Sequence, residues 1–311
     1  MATTKIIPGV LDLNEAASDS GLKIPTGTEL NRPATDVAGM IRNNTNEASE
    51  GSASAQEYYN GTEWKKITNT FPVSASNILT LTRTDYISRT MTTPTDGTKY
   101  TYSFWYKWNN IPAGSYDYMW LSASIYASAP REEIHYDYSN TRWNLYYDGG
   151  ASNQGSWYGP TTTPPTNGVW YHYVLQKTAQ QAPVLYINGT NIGTFISSAA
   201  PNPPSGDGTT TRMNSSGILQ NINGRSDSGA SGIDGSIAYC QFVDGSIQAP
   251  SAFTTTNAGF TGPASYTGTW GNNGVQLLFG NPGAIGTDTS GNTNNFTPAS
   301  GGTTGTDTVY Y

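Results

Sequence analysis

The chain has 311 residues, of which 12% are charged and 12% are aromatic, and its formal net charge is −7. This length suits one large β-domain with a smaller segment, or two domains of ordinary size. The 15 basic residues are scattered along the sequence, which excludes the basic face of a typical nucleic-acid-binding protein. Cys240 is the only cysteine, so a small domain held together by internal disulfides is also excluded.

The sequence carries no recognisable signal for secretion or membrane insertion. Its N-terminus lacks the long apolar run of a signal peptide. No window approaches the roughly 18 apolar residues that predict a transmembrane helix. We therefore expect the protein to fold in a reducing cytoplasm without entering a membrane.

Residues 1–69 carry short strand and turn signals but little apolar matter. Asn60-Gly61 lies between Tyr59 and Trp64 and predicts a two-residue hairpin turn, because both turn positions need a positive φ. So few apolar residues cannot form a core alone. We therefore predict that residues 1–69 form a small β-rich attachment segment, which packs on another chain or on a larger assembly.

Residues 70–311 carry repeated strand signals separated by loops rich in Gly, Ser, Asn and Pro. The first strand alternates from Tyr102 to Trp108, which places every second aromatic ring on one face. Asn188-Gly189 predicts a second hairpin. The predicted strands are Tyr100–Trp108, Trp143–Tyr147, Val169–Gln176, Val184–Ile187, Thr190–Phe195, Ser236–Val243 and Val275–Phe279.

These strands, with no helical period between them, predict an all-β fold. The architecture expected over residues 70–311 is an antiparallel two-sheet jelly-roll sandwich. We expect Val275–Phe279 and the segment up to Phe296 to pair with an early strand and close an edge. The connections 149–168 and 197–217 are predicted to be long loops, where binding usually sits.

Several short motifs follow one another in residues 70–311. They are Arg83–Tyr86, Tyr102–Lys107, Gly168–His172, Leu185–Gly189, Gly232–Gly235, Phe242–Gly245, Pro250–Phe253, Trp270–Phe279 and Asp288–Phe296. In this order they resemble the laminin-G-like module of phage structural proteins, which has a concanavalin A-like fold. The resemblance implies a domain of the lectin and glucanase class.

The N-terminal region also contains motifs in a fixed order, Leu22–Thr28, Gly39–Asn43 and Tyr59–Trp64. They are similar to short segments of phage tail-fibre proteins. This resemblance implies a structural protein of the virion, assembled in the host cytoplasm and attached to other virion proteins through residues 1–69. It also implies a homo-oligomer, with a trimer favoured, although no heptad or repeat sets the number three.

A catalytic site would need paired carboxylates, and the nearest candidates lie between Glu132 and Asp137. Alternation predicts that Glu133, His135 and Asp137 share one face of a strand. Concanavalin-type glucanases use a short acidic motif to place their acid and nucleophile about 5–5.5 Å apart. The residue spacing of that motif is absent from this sequence. We therefore predict a solvated strand face, no catalytic residue and no enzyme.

Two further reactive side chains are also expected to be structural. His172 lies in a predicted strand, which favours a buried histidine with its hydrogen bonds satisfied. Cys240 lies beside Phe242 in an apolar strand, which favours a packed core thiol over a nucleophile.

The closing turn offers oxygen atoms of the kind that calcium prefers. Asp288, Asn292 and Asn294 supply carboxylate and amide oxygens, and Asp234 and Asp244 are further candidates. The alternative is an Asx-turn whose side chains bond their own backbone. No other metal or cofactor is predicted.

Aromatic rings beside polar side chains predict contact with carbohydrate, because sugars stack on rings while polar groups bind their hydroxyls. One candidate group is Tyr116, Asp117 and Tyr118. The other is Trp157 and Tyr158, placed in a polar, Gly-rich loop where exposed rings are unusual. The alternative is that these rings cap the sandwich or lie in a subunit interface.

Three functions follow from these expectations. The first is a virion fibre or surface protein whose lectin-like domain binds host-surface glycan, many copies together giving avidity. The second is purely architectural, a capsid-decoration or tail-connector protein. The third is a polysaccharide depolymerase acting through Glu133 or Asp137.

Overall fold

The computed structural model describes residues 26–27, 41–44, 55–59, 61–67, 75–110, 117–123, 131–148, 154–224, 232–257 and 260–311. The chain divides into two compact units, Met1–Phe71 and Pro72–Tyr311. In this described part, no helix is long and apolar enough to cross a membrane.

The N-terminal unit contains one four-stranded sheet. Its strands, in spatial order, are β1 Thr26–Gly27, β2 Ile41–Asn44, β3 Ala55–Tyr59 and β4 Trp64–Ile67. β1 and β2 are parallel, and the other neighbours are antiparallel. The predicted hairpin is present, but the prediction that its turn has two residues is wrong. Tyr59 pairs with Trp64, so Thr62 and Glu63 also lie between the two paired residues, and Asn60 lies outside the described residues.

The larger unit contains a first sheet in which all neighbouring strands are antiparallel. Its strands are β5 Ala75–Leu81, β7 Lys99–Asn110, β12 Trp170–Thr178, β13 Val184–Ile187, β14 Thr190–Asn191, β17 Asp234–Asp244, β20 Val275–Leu277 and β22 Thr303–Thr308. The spatial order is β14-β13-β12-β7-β17-β5-β22, and β20 also pairs with β17. The predicted hairpin at Asn188-Gly189 is confirmed, since both residues have positive φ, 51° and 75°.

A second antiparallel sheet completes the larger unit. Its strands are β6 Tyr86–Thr90, β8 Asp117–Ala123, β9 Arg131–Asp137, β10 Arg142–Asp148, β11 Gln154–Thr161, β15 Ile196–Ser197, β16 Leu219–Ile222 and β21 Thr297–Ser300. The spatial order is β15-β11-β10-β9-β8-β16-β6-β21. A separate hairpin joins β18 Thr254–Asn257 and β19 Phe260–Pro263.

Aromatic side chains fill the space between the two sheets. Every second residue from Tyr102 to Trp108 is buried there, as the alternation predicts. The Trp108 ring lies 6.4 Å from both Tyr136 and Trp143 of the second sheet. Since each fully buried large side chain contributes about 1.5–3 kcal/mol, this layer is the main source of stability. The predicted antiparallel two-sheet sandwich is confirmed.

The outer face of the first sheet is also covered. Trp105 points away from the core and stacks on His172 with 4.9 Å between ring centroids. Tyr311 stacks on Trp105 from the C-terminal segment, at 5.5 Å. His172 is therefore buried beneath aromatic rings rather than presented to solvent.

Two expectations about the chain's course are wrong. Residues 149–168 do not form one loop, because β11 occupies Gln154–Thr161 and pairs with β10. Val275–Leu277 pairs with β17 rather than with an early strand. The early strands β5 and β6 are instead flanked by β22 and β21. The sequences of β22 and β21, TTGTDT and TPAS, lack the apolar alternation used to find strands.

Candidate functional site

The outer face of the second sheet carries polar side chains at the centre of the sheet. In β9, Ile134 and Tyr136 join the core, so the odd-numbered residues face outward. In β10 the odd-numbered residues join the core, so the even-numbered residues face outward. The predicted shared face of Glu133, His135 and Asp137 is confirmed. These three are buried rather than solvated, with Glu133 only 4% exposed.

One row of side chains crosses this outer face. Directly paired residues of antiparallel strands project to the same side. From β15 to β9 the row consists of Ile196, Tyr158, Asn144 and His135. Ile196 is 64% exposed and is the most exposed large apolar side chain of the described residues. Tyr158 is partly exposed beside it. An apolar rim therefore borders a polar interior.

Arg142 covers the Tyr158 end of this row. Its guanidinium carbon lies 4.1 Å from the centroid of the Tyr158 ring, an attractive cation–π distance. Its Nε lies 3.8 Å from Oδ2 of Asp137, which is an ion pair but too long for a hydrogen bond. Asp137 itself accepts a 2.6 Å hydrogen bond from the Asn140 side chain. The carboxylate is thus engaged, while Arg142 keeps N–H groups to donate.

Two polar atoms in this cluster lack hydrogen-bond partners. Asn144 is 5% exposed, and its Nδ2 donates to Asp137 Oδ2 at 3.4 Å. Among the described residues, Asn144 Oδ1 accepts no hydrogen bond and Nε of Arg142 donates none. A buried polar atom without a partner costs roughly 1–3 kcal/mol. Both atoms lie just beneath the outer face, under the partly exposed Arg142 side chain.

A second cluster of the same kind lies further along β9 and β10. The Arg131 guanidinium carbon lies 4.9 Å from the centroid of the Tyr146 ring. Its Nη1 lies 3.3 Å from Oε1 of Glu133, and its Nε lies 3.4 Å from Oδ2 of Asp148. Burial is the largest influence on the pKa of Arg131 and lowers it. The nearby carboxylates outweigh burial, Glu133 most of all, so the pKa of Arg131 is raised. Arg131 is therefore firmly cationic.

The predicted sugar-contacting residues are only partly brought together. Tyr158 lies on the outer face, as described. Trp157 faces the core, is 8% exposed, and donates from Nε1 to Oδ2 of Asp207 at 2.8 Å. Its prediction as an exposed ring is wrong, because the segment is a strand and alternation turns neighbouring rings to opposite faces.

The other predicted sugar-contacting group is Tyr116, Asp117 and Tyr118. Asp117 and Tyr118 lie on β8, where they pair with Asp137 and Tyr136. Tyr116 lies outside the described residues. β8 is thus the strand next to β9 on the second sheet, and the role of these three residues in sugar binding stays a prediction.

The closing turn is held by its own hydrogen bonds. The Asp288 carboxylate accepts backbone N–H bonds from Gln276, Ser290 and Asn294 at 2.8–2.9 Å. The side-chain amides of Asn292 and Asn294 both donate to the carbonyl oxygen of Gly274. This arrangement is the Asx-turn alternative. Among the described residues no group of three His, Cys, Asp or Glu side chains could hold a metal ion, and calcium here stays a prediction.

The two reactive side chains expected to be structural are buried. Burial lowers the pKa of His172 to about 3, and its Nε2 lies 2.9 Å from the Ser103 hydroxyl. In the part of the chain that the structure describes, its Nδ1 has no hydrogen-bond partner, so the prediction that both ring nitrogens are satisfied is wrong. Burial raises the pKa of the Cys240 thiol to about 12. A nucleophilic cysteine needs a lowered pKa, so Cys240 is a packed core residue, as predicted.

A buried charge network lies at one end of the core and was missed from the sequence. Glu132 accepts a 2.5 Å hydrogen bond from the Tyr100 hydroxyl and a 2.7 Å bond from the backbone N–H of Arg212. Lys177 Nζ lies 3.0 Å from Oδ2 of Asp207 and also donates to two backbone carbonyls. Burial raises the pKa of Glu132 and lowers that of Lys177. The network fastens the long connection between β15 and β16 to the sandwich.

A surface cleft of about 660 Å³ lies beside β21 and β22. Residues 282–287, 295–296, 298 and 301–304 line it. These described lining residues include no charged side chain, and the aromatic ring among them, Phe296, is buried. The cleft lacks a ring to stack on a sugar, so the outer face of the second sheet is the better candidate site.

The residues that define the site were mostly missed from the sequence. A usable signal existed, because Arg142 to Asp148 alternates polar and apolar residues. That pattern places Arg142, Asn144 and Tyr146 on one face of a strand. Ile196 gave no signal, since its exposure depends on its position at the sheet edge.

Comparisons with known proteins agree with the fold. A laminin-G-type family model, described as the concanavalin A-like lectin/glucanases superfamily, matches residues 81–249. No curated protein matches the sequence. The chain is similar in structure to a putative carbohydrate-binding protein of Bacteroides ovatus, with a TM-score of 0.51 and 13% identity over 84% of this chain and 65% of that one. At that identity the likeness shows the fold alone.

Two other solved structures have lower TM-scores. One is a heptameric SAP-like pentraxin from Limulus polyphemus, with a TM-score of 0.39 and 16% identity over 56% of this chain and 78% of that one. The other is the tailspike protein 2 enzymatically active domain of bacteriophage CBA120, with a TM-score of 0.36 and 12% identity over 76% of this chain and 31% of that one. The family model covers 169 of the 311 residues, so the chain belongs to the concanavalin A-like lectin/glucanases superfamily.

Proposed function

We propose that this protein binds glycan, without cleaving it, through the outer face of the second sheet. The observation that carries the proposal is the set of unpartnered polar atoms beside an exposed apolar rim. The Arg142 guanidinium, whose side chain is partly exposed, donates to a ligand hydroxyl, and Asn144 Oδ1 beneath it accepts from another once the neighbouring side chains shift. Tyr158 and Ile196 contact the apolar face of a sugar ring. Hydrogen bonds to the charged guanidinium are stronger than those between neutral groups, which gives the ligand binding energy.

The two predicted acid candidates, Glu133 and Asp137, are too far apart to act together in hydrolysis. Glu133 and Asp137 lie four residues apart on β9, about 13 Å at 3.3 Å per residue. Glycosidases of the inverting class need their carboxyl groups about 6.5–9.5 Å apart, and retaining enzymes need them closer. Both groups also have partners already, Arg131 for Glu133 and Asn140 for Asp137. Glu133 and Asp148 lie closer to each other, but Arg131 pairs with both carboxylates, so the geometry of this face favours binding over turnover.

We further propose that the protein is a structural component of a phage particle. The motifs in residues 1–69, which follow one another in the order seen in phage tail-fibre proteins, support this role. The small number of charged residues suits a packed assembly. In this proposal residues 1–69 attach to other virion proteins, and several copies, with a trimer favoured, present their glycan sites together. Linked copies raise the effective affinity of a weak site. The host-surface glycan is then the ligand.

The test is binding of the purified full chain to an array of bacterial surface polysaccharides. Wild type is expected to bind, and Tyr158→Ala to lose at least about tenfold in affinity, which is roughly 1.4 kcal/mol. Tyr186→Ala is the matched control, because Tyr186 is a partly buried tyrosine of the first sheet. Binding to no polysaccharide would overturn the proposal in favour of an architectural protein. Release of sugar products that Glu133→Gln abolishes would favour a depolymerase.

A further inference from the structure

Lys177 and Asp207 form an ion pair that is wholly removed from solvent. Lys177 lies in β12 and Asp207 in the connection between β15 and β16, and both side chains are 0% exposed. Lys177 Nζ lies 3.0 Å from Oδ2 and 3.3 Å from Oδ1 of Asp207. The carboxyl carbon lies between these oxygens, so nitrogen and carbon are at about the 3–3.5 Å separation that favours reaction.

The other hydrogen bonds of Lys177 fix the direction in which its nitrogen can react. Nζ donates to the backbone carbonyl oxygens of Thr178 and Gln181 at 2.6 and 2.9 Å. An ammonium group has three N–H donors, so the third points at Asp207. When that proton is lost, the lone pair of the neutral amine points at Asp207 instead. Burial lowers the pKa of Lys177, which favours the neutral amine.

The carboxyl group of Asp207 is held by donors suited to an addition reaction. Oδ2 accepts from Nε1 of Trp157 at 2.8 Å, and Oδ1 accepts from the backbone N–H of Gln180 at 3.0 Å. Fixed N–H groups stabilise the negative charge that develops on oxygen when a nucleophile adds to the carbon. The ring centroids of Tyr147 and Trp157 lie 5.6 and 5.9 Å from Lys177 Nζ. Aromatic rings thus help to shield the pair from water.

A second carboxyl group, Glu132, belongs to the same buried cluster. Glu132 is 0% exposed, and its charge interacts with those of both Lys177 and Asp207. Burial is the largest influence on the pKa of Glu132 and raises it. Its carboxylate is therefore a better proton acceptor than an exposed one.

We propose that Lys177 and Asp207 condense into an intramolecular amide, with Glu132 as the group that relays a proton. First the ammonium proton moves to Asp207, which leaves a neutral amine and a neutral acid. The amine nitrogen then bonds to Cγ of Asp207. Glu132 takes one proton from the nitrogen and returns it to the departing hydroxyl group as the C–O bond breaks. One water molecule is released, and no oxidant or reductant is needed.

The amide joins β12 to the connection between β15 and β16, across 30 residues of sequence. Such a cross-link restricts the unfolded chain, as a disulfide does. The chain has one cysteine and therefore cannot form an internal disulfide. This inference is independent of glycan binding, because the pair lies at one end of the core.

The test is mass spectrometry of the purified, folded full chain. The amide predicts an intact mass lower than the sequence mass by one water molecule. Chymotrypsin cleaves after aromatic residues such as Tyr186 and Phe195, which lie between the two partners in the sequence. The digest should therefore contain two peptides joined through Lys177 and Asp207.

The controls separate this bond from other losses of water. Lys99 and Asp96 form an exposed ion pair at 3.1 Å and should stay unlinked in the same digest. Lys177→Arg keeps the positive charge but lacks the amine, so it should have its full sequence mass. Glu132→Gln should form the cross-link at least about tenfold more slowly after synthesis, because it cannot relay the proton. Thermal unfolding verifies that each variant is folded.

The joined peptides of wild type decide the proposal whether or not the variants fold. A wild-type chain at its full sequence mass, without joined peptides, would show that Lys177 and Asp207 stay an ion pair and would overturn the amide. A loss of water that persists in Lys177→Arg would also overturn it, since a succinimide at Asp207-Gly208 releases one water as well. Linkage of Glu132→Gln at the wild-type rate would overturn the relay assigned to Glu132.

Discussion

Glu132 and Glu133 are neighbours in β9, yet they lie in opposite environments. Glu132 points into the core, where the Tyr100 hydroxyl and backbone N–H groups satisfy its oxygens. Glu133 points to the outer face, close to a cluster in which a buried acceptor and a buried donor have no partner. The same strand therefore carries a completed structural network on one side and an incomplete polar surface on the other. Incomplete surfaces are the ones that a ligand can complete.

The largest expected effect comes from breaking the completed network. Asp207→Ala should lower the free energy of unfolding by about 3–5 kcal/mol, because it leaves Lys177 buried with its charge poorly compensated. Urea unfolding measures the change. Asp96→Ala is the control, since its ion pair with Lys99 is exposed and worth about 0–1 kcal/mol. If both variants lose the same stability, the buried network does not hold the connection between β15 and β16 to the sandwich.

A second prediction concerns acid. The folded-state pKa of His172 is about 3, lowered by burial from its ordinary value of 6.5. The unfolded chain therefore takes up a proton first as the pH falls, and stability present above pH 6.5 is lost toward pH 3. Between pH 7 and pH 4 this one group should remove about 3 kcal/mol, at 1.36 kcal/mol per pH unit.

The measurement is urea unfolding of wild type and His172→Gln at both pH values. Glutamine can keep a hydrogen bond to Ser103 but does not titrate. The variant should lose about 3 kcal/mol less than wild type on acidification. Identical losses would show that His172 does not titrate from a buried, neutral state.

Period-two alternation predicted much of the fold because it needs no knowledge of partners. Trp108 and its neighbours in β7 were placed correctly, since apolar rings at every second position can be buried on one side only. The same rule failed at Trp157, where Gly and Ser concealed a strand and the ring was assigned to a loop. Strands β21 and β22 were not predicted for a similar reason. They form because they pair with neighbouring strands, and their sequences contain too few apolar residues to show alternation.

The site was harder to predict because it depends on which strands are neighbours. Ile196, Tyr158 and Asn144 come from three strands that pair in space but are separated in sequence by other residues. Nothing local shows that Asn144 Oδ1 lacks a donor, because that depends on every surrounding atom. Residue types such as Tyr beside Asp indicated the class of ligand but not the face that would bind it.

The smallest stability effect is expected where the outer face is most open. Ile196→Thr keeps a β-branched side chain at a position that is 64% exposed, so the free energy of unfolding should change by less than about 0.5 kcal/mol. Glycan affinity should fall about fivefold, because the lost apolar contact is worth roughly 1 kcal/mol. Ile247→Thr is the matched control, since Ile247 is 41% exposed but lies outside the second sheet. Equal affinities for the two variants would remove Ile196 from the site, whereas a loss confined to Ile196→Thr would separate binding from stability on this face.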